Sequence, residues 1–127
     1  DKKFQRIIED LTENLEVQKS KKEYPGIIKS YEDLIELQPL DKNYLLQLSL
    51  LLFKLKNYER FIDYAELIKL RSPNNKRNIF RLAIAHIKLK KFQRANSLIL
   101  EILNLNPQNK KAKILELILS DLVIKSV

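Results

Sequence analysis

The chain has 127 residues, 45% of them apolar, and 24 basic against 16 acidic side chains for a net charge of +8, which is enough for one compact folding unit and too little for two ordinary ones. One glycine, four prolines and no cysteine leave little for hairpin turns and exclude glycine-rich phosphate loops, a disulfide framework, a zinc finger and a thiol nucleophile. Lys, Ile, Asn and Leu fill more than half the positions, a bias typical of AT-rich coding sequence to which part of the positive charge is ascribed.

Asp1 opens the numbering without an initiator Met, as expected of a fragment or a processed chain. Phe4, Ile7, Ile8, Leu11 and Leu15 then recur at helical spacing and predict an amphipathic capping helix. A second helix follows Tyr24, carries Ile27, Ile28, Tyr31, Leu34, Ile35 and Leu37 inward, and stops near Pro39. Leu45, Leu48, Leu52 and Leu55 predict the next helix, Tyr58 opens its partner, and Pro73 ends it. Ile79, Leu82, Ala83, His86 and Leu89 predict a fifth helix, and Ala95, Ile99, Ile102, Leu103 and Leu105 a sixth that ends near Pro107. A last helix spans about 110–125. Its apolar run 114–124, like 44–55, falls short of the roughly 20 residues that cross a bilayer, so the chain is expected to be soluble, cytoplasmic or periplasmic, as part of a longer or membrane-associated protein.

Pro39, Pro73 and Pro107 are spaced by 34 residues, and so are Tyr24, Tyr58 and Phe92, each with a lysine two residues earlier (Lys22, Lys56, Lys90). Asp41, Asn75 and Asn109 follow the prolines, where a short polar side chain can accept hydrogen bonds from the free amides that open a helix. Two independent markers with one period identify a repeat of helix pairs.

On these residues the chain resembles the tetratricopeptide repeat family, whose 34-residue unit favours a bulky residue at position 4, Leu at 7, a small residue at 8, Tyr at 11, Ala at 20 and Pro at 32. The resemblance implies an all-α fold, a right-handed α-solenoid of antiparallel helix pairs forming one domain over 1–127. Its repeats are 8–41, 42–75 and 76–109, followed by the terminal helix. The third repeat matches best through Ile79, Leu82, Ala83, Leu89, Phe92, Ala95, Ile99 and Pro107, with His86 in place of Tyr. The second places Phe61 where Ala is usual and reads as shifting phase between Tyr64 and Leu70. In the first, Asn14, Leu15 and Gln18 depart from the pattern.

His86, the single histidine, is expected in the core or in a buried hydrogen bond. Its neighbours Leu82, Ala83, Ala85 and Ile87 supply neither a base orienter nor a ligand. Glu9 with Glu13 and Glu32 with Glu36 lack His or Cys companions and read as a solvated face. No catalytic, cofactor-binding or metal-ligating set is assigned, and the chain reads as non-enzymatic.

In the family, positions 2, 5, 9, 12 and 13 of the first helices line a groove that holds a ligand peptide. Here they are Asn43, Leu46, Leu50, Phe53 and Lys54, then Arg77, Phe80, Ile84, Ile87 and Lys88. The resemblance thus implies an adaptor or scaffold that binds another protein, through a helix or extended peptide that is apolar with an acidic flank oriented by Arg77, Arg81 and Lys88. A chain-flanking helix or a second copy in a homodimer are the competing occupants. Arg77 and Arg81 match part of a clamp that one subset of the family uses on chaperone tails, but Thr12, Glu16 and Gln47 replace its other members. Charge is uneven: 1–41 carries seven basic and ten acidic groups, 42–75 six and three, and 76–127 eleven and three. The alternative function is therefore a basic C-terminal surface for nucleic acid or an anionic membrane. Specific nucleic-acid reading is disfavoured, because its lysines lack interleaved aromatics.

Overall fold

The computed structural model describes residues 1–125, most of which lie in seven α-helices: α1 Lys2–Lys21, α2 Tyr24–Leu37, α3 Lys42–Lys54, α4 Tyr58–Arg71, α5 Lys76–Lys88, α6 Phe92–Leu105 and α7 Lys110–Lys125. The described residues include no strand, and none of their helices is long and apolar enough to cross a membrane. Two compact units divide at Leu48 and Ser49, within α3.

The 34-residue period reappears as repeated backbone chemistry. Each even-numbered helix before a proline closes with the same bond, Gln38 N to Leu34 O, Ser72 N to Ile68 O and Asn106 N to Ile102 O, all at 2.8 Å. The turn then bonds Asp41 N to Gln38 O, Asn75 N to Ser72 O and Asn109 N to Asn106 O at 3.0–3.1 Å. The expected caps form: Asp41 Oδ1 accepts from Asn43 N at 2.8 Å, Asn75 Oδ1 from Asn78 N at 3.2 Å and Asn109 Oδ1 from Ala112 N at 3.0 Å. Each satisfies an amide that the first helical turn leaves unpaired.

The recurrent lysines have a backbone role. Lys22, Lys56 and Lys90 are the non-glycine residues with positive φ among those described, at 55°, 62° and 60°. In each case the lysine amide bonds three residues back and the next amide bonds five back, as in Lys56 N to Phe53 O (3.0 Å) and Asn57 N to Leu52 O (2.9 Å). This left-handed closure satisfies orphan carbonyls of the helix end and is normally given to glycine, because a Cβ is crowded there. Lys56→Gly is expected to raise stability by about 0.5–1 kcal/mol through release of that crowding, read as an upward shift in the urea midpoint with an unchanged slope.

In unit 1, α1 packs on α2. Leu15 is buried from α1, and Ile27, Tyr31 and Leu34 from α2. Gln18, which departs from the family's Tyr, lies across Gly26, where an added Cβ would come within 2.7 Å of its Nε2, and it accepts a 2.7 Å hydrogen bond from Ser30 Oγ. A glycine and a serine on α2 thus admit and fix the polar side chain.

In unit 2, α4 packs on α5, α5 on α6 and α6 on α7. Leu82, Ala83, Ala95, Leu98 and Ile99 are fully buried. The expected change of phase in α4 does not occur: the helix runs unbroken and buries Phe61, Ala65 and Ile68, the positions occupied by Ile27, Tyr31 and Leu34 in α2 and by Ala95, Ile99 and Ile102 in α6. Within the stretch from Tyr64 to Leu70, Leu67 and Leu70, though apolar, face outward at 44% and 80% exposure. Asn78, also buried, donates from Nδ2 to Ala65 O at 3.0 Å and ties α5 to α4. Lys69–Glu101 (3.0 Å) and Arg94–Glu66 (3.2 Å) link α4 to α6 at the surface.

Candidate functional site, a cationic cleft in unit 2

Helix α5 has two working faces. Ile79, Leu82, Ala83 and His86 are buried, while Arg77, Phe80, Arg81 and Ile84, spaced i, i+3, i+4 and i+7, share the other side. That second face borders a cleft of about 560 Å³, completed by Phe53 near the end of α3, Lys76, Ile102 of α6, and Asn109 and Lys111 at the start of α7.

Of the residues expected to line a groove, Phe53, Arg77, Phe80, Arg81 and Ile84 come together here. Leu50 and Ile87 are half-buried and Lys54 and Lys88 exposed in the same unit without lining the cleft, and Asn43 and Leu46 belong to unit 1. The groove read from sequence omitted Ile102, Asn109, Lys76 and Lys111, the two lysines being assigned instead to the basic C-terminal surface; Ile102 comes from α6, Lys76 from the start of α5 and Lys111 from the start of α7. The available signal was Asn109, already marked as a helix cap, since it fixes where α7 begins and hence where Lys111 stands.

Phe53 is held by an aromatic cluster, tilted against Phe61 with ring centroids 5.0 Å apart and edge-on to Tyr58 at 5.7 Å. Phe61 is fully buried, so the residue that departs from the repeat's small Ala is the one that backs the cleft's aromatic wall.

The electrostatics have one sign. Lys76, Arg77, Arg81 and Lys111 line the cleft with no carboxylate among its lining residues, and none of the four forms an ion pair among the described residues. The first turns of α5 and α7 both border it, and neither contains an acidic residue. The positive ends of two helix dipoles therefore add to the side-chain charge. Burial, and after it the neighbouring Arg77, push the Arg81 guanidinium below its usual value. It remains a cation, and an arriving anion would relieve both costs.

No protein-family model and no curated protein matches the chain. Solved structures do match. A TPR domain of OM64 from Arabidopsis aligns with TM-score 0.66 at 21% identity, over 90% of this chain and 94% of that one. The first TPR of Spaghetti, in a structure bound to the HSP90 peptide SRMEEVD, aligns with TM-score 0.70 at 18% identity, over 92% and 93%. The chain has the tetratricopeptide-repeat fold. A TPR2B domain of yeast Sti1, in its pHsp70 complex, matches at 19% identity with TM-score 0.65 over 90% and 96%. Within this TPR fold, small buried residues stand where the pattern asks for them, Ser49 in the second repeat and Ala83 in the third. Leu52 and His86 fill the position that usually holds Tyr.

Proposed function

We propose that the protein is a non-enzymatic adaptor whose unit-2 cleft receives a segment of another protein that presents a bulky apolar side chain flanked by carboxylates. The observation that carries this reading is the lining itself: Phe53, Phe80, Ile84 and Ile102 beside four unpaired cations and no acid. Apolar contact supplies the affinity, on the order of 1.5–3 kcal/mol per fully buried side chain before ordering costs, and the cations set orientation and speed of encounter. Lys, Arg, Asn and apolar groups provide no nucleophile–base pair, which supports binding over chemistry.

The fold relatives support the same class of ligand. The Spaghetti domain is bound to SRMEEVD, a peptide that joins Met and Val to two Glu and an Asp. A chaperone tail is not the partner proposed here, because Thr12, Glu16 and Gln47 stand where the clamp subset carries its other polar members.

The test is an array of synthetic peptides, each with one bulky apolar residue among glutamates, beside matched peptides with lysines in place of the glutamates. The acidic set should bind and the lysine set should not. Ile84→Glu, and separately Arg77→Glu with Arg81→Glu, should each weaken binding at least tenfold while circular dichroism stays helical. Undiminished binding by both variants would overturn the reading. So would competition by duplex DNA with affinity collapsing as salt rises, which would assign the basic surface to nucleic acid.

A further inference from the structure

The chain itself carries the combination of groups that the cleft selects. Unit 1 has eight basic and ten acidic side chains, whereas the sequence from Ser49 onward has sixteen and six. The acidic excess is concentrated on α1, where Glu9, Asp10, Glu13 and Glu16 are all exposed and no basic residue intervenes between Arg6 and Lys19. Glu9, Glu13 and Glu16 fall at i, i+4 and i+7, so they form one stripe along the helix. Glu16 meets Lys19 at 3.4 Å, but Glu9, Asp10 and Glu13 form no ion pair among the described residues. Val17, 49% exposed, lies one turn beyond Glu13 and flanks the stripe, whereas Ile7, 48% exposed, lies on the other side of α1.

This arrangement is unfavourable in an isolated copy, since like charges four residues apart on a helix repel and the Val17 side chain beside them meets water. A cleft with an aromatic and aliphatic lining and four cations reverses both terms. Leu70, 80% exposed, lies by contrast between Lys69 and Arg71. That surface shares the cleft's sign and would be repelled by it.

We propose that the acidic face of α1 in one copy docks in the unit-2 cleft of a second copy, so that the protein self-assembles through unlike surfaces. The proposal rests on the reading of the cleft given above. Each copy offers one stripe and one cleft, a heterologous contact that either closes into a small ring or extends as a chain. A partner's acidic segment and α1 then compete for one site, and partner binding takes assemblies apart.

The experiment is sedimentation velocity on the whole chain across the micromolar to millimolar range, at low and high salt. Wild type should gain mass with concentration and lose it as salt screens the contact. Glu9→Lys with Glu13→Lys, and separately Arg77→Glu with Arg81→Glu, should each raise the concentration needed for assembly at least tenfold. An equimolar mixture of the two swapped variants should assemble again, because each now complements the other, and a folding defect would not be cured by mixing. Single-copy mass throughout for wild type, a mixture that stays dissociated, or assembly indifferent to both swaps would overturn the proposal. If wild type stays a single copy yet binds the acidic peptides, self-assembly alone fails and the cleft reading stands. If neither α1 nor the peptides bind, both fail.

Discussion

Phe61→Ala is expected to cost about 3–5 kcal/mol, the range for truncating a fully buried aromatic, out of the roughly 5–15 kcal/mol that holds a small domain folded. With each kcal/mol moving the midpoint by about 4–8 °C in a domain of 60–100 residues, the melting temperature should fall by tens of degrees. The helix itself is not at fault in such a variant, since Ala is the best helix former and Ala95 occupies the same place in α6 with no exposure. The loss is volume. Phe61→Leu keeps most of that volume and should recover most of the midpoint in the same thermal melts by circular dichroism.

The variant also reports on the cleft. Phe53 leans on Phe61 at 5.0 Å and on Tyr58 at 5.7 Å, so removing Phe61 takes away one of the two rings that Phe53 packs against. Well below its melting point, Phe61→Ala should therefore bind the acidic peptides more weakly than wild type, whereas Phe61→Leu should bind nearly as well. An unchanged affinity in a folded Phe61→Ala protein would show that Phe53 is positioned by something else.

Legibility followed the physics that repeats. Helix pairs were readable because three prolines, three aromatics and three polar caps share one spacing, and each has a backbone reason that recurs in the hydrogen bonds of the turns. The lysines at 22, 56 and 90 were visible as part of that period, but their left-handed backbone was not, since lysine carries no preference for positive φ and only the geometry reveals it. The stretch from Tyr64 to Leu70 read as a change of phase, and an exposed leucine such as Leu67 or Leu70 looks the same in sequence as a buried one. In the cleft, the α5 residues were legible through the resemblance to the repeat family, which assigns those positions to a groove. Lys76 and Lys111 were legible only as part of the basic C-terminal surface, because they reach the cleft from helix starts, and Ile102 was read only as core. Those additions change the chemistry from an apolar groove with a basic edge to a small cleft with cations on its walls.

His86→Leu is expected to stabilise the protein and to remove part of its sensitivity to acid. The imidazole is 6% exposed, and neither ring nitrogen has a hydrogen-bond partner, unlike Asn78, whose amide reaches a carbonyl in the same interior. Leaving a buried polar group unpaired costs on the order of 1–3 kcal/mol. Leu52, 34 residues earlier, shows that the equivalent position accepts leucine with complete burial.

Burial, and after it Arg94, lowers the pKa of His86 below 6.5; Lys91 acts in the same direction and Glu66 opposes them. Between that lowered value and 6.5 the unfolded chain holds a proton that the folded chain does not, so unfolding takes up a proton and acid favours it. The contribution of the neutral ring is complete above pH 6.5, declines as the pH falls below it, and levels off beneath the folded-state pKa. Denaturation curves of both proteins between about pH 8 and pH 5 should thus diverge, with the stability advantage of His86→Leu growing on the acid side. Subtracting one curve from the other cancels the groups common to both, so a difference that stays flat across this range would mean the imidazole is already solvated or charged in the native helix.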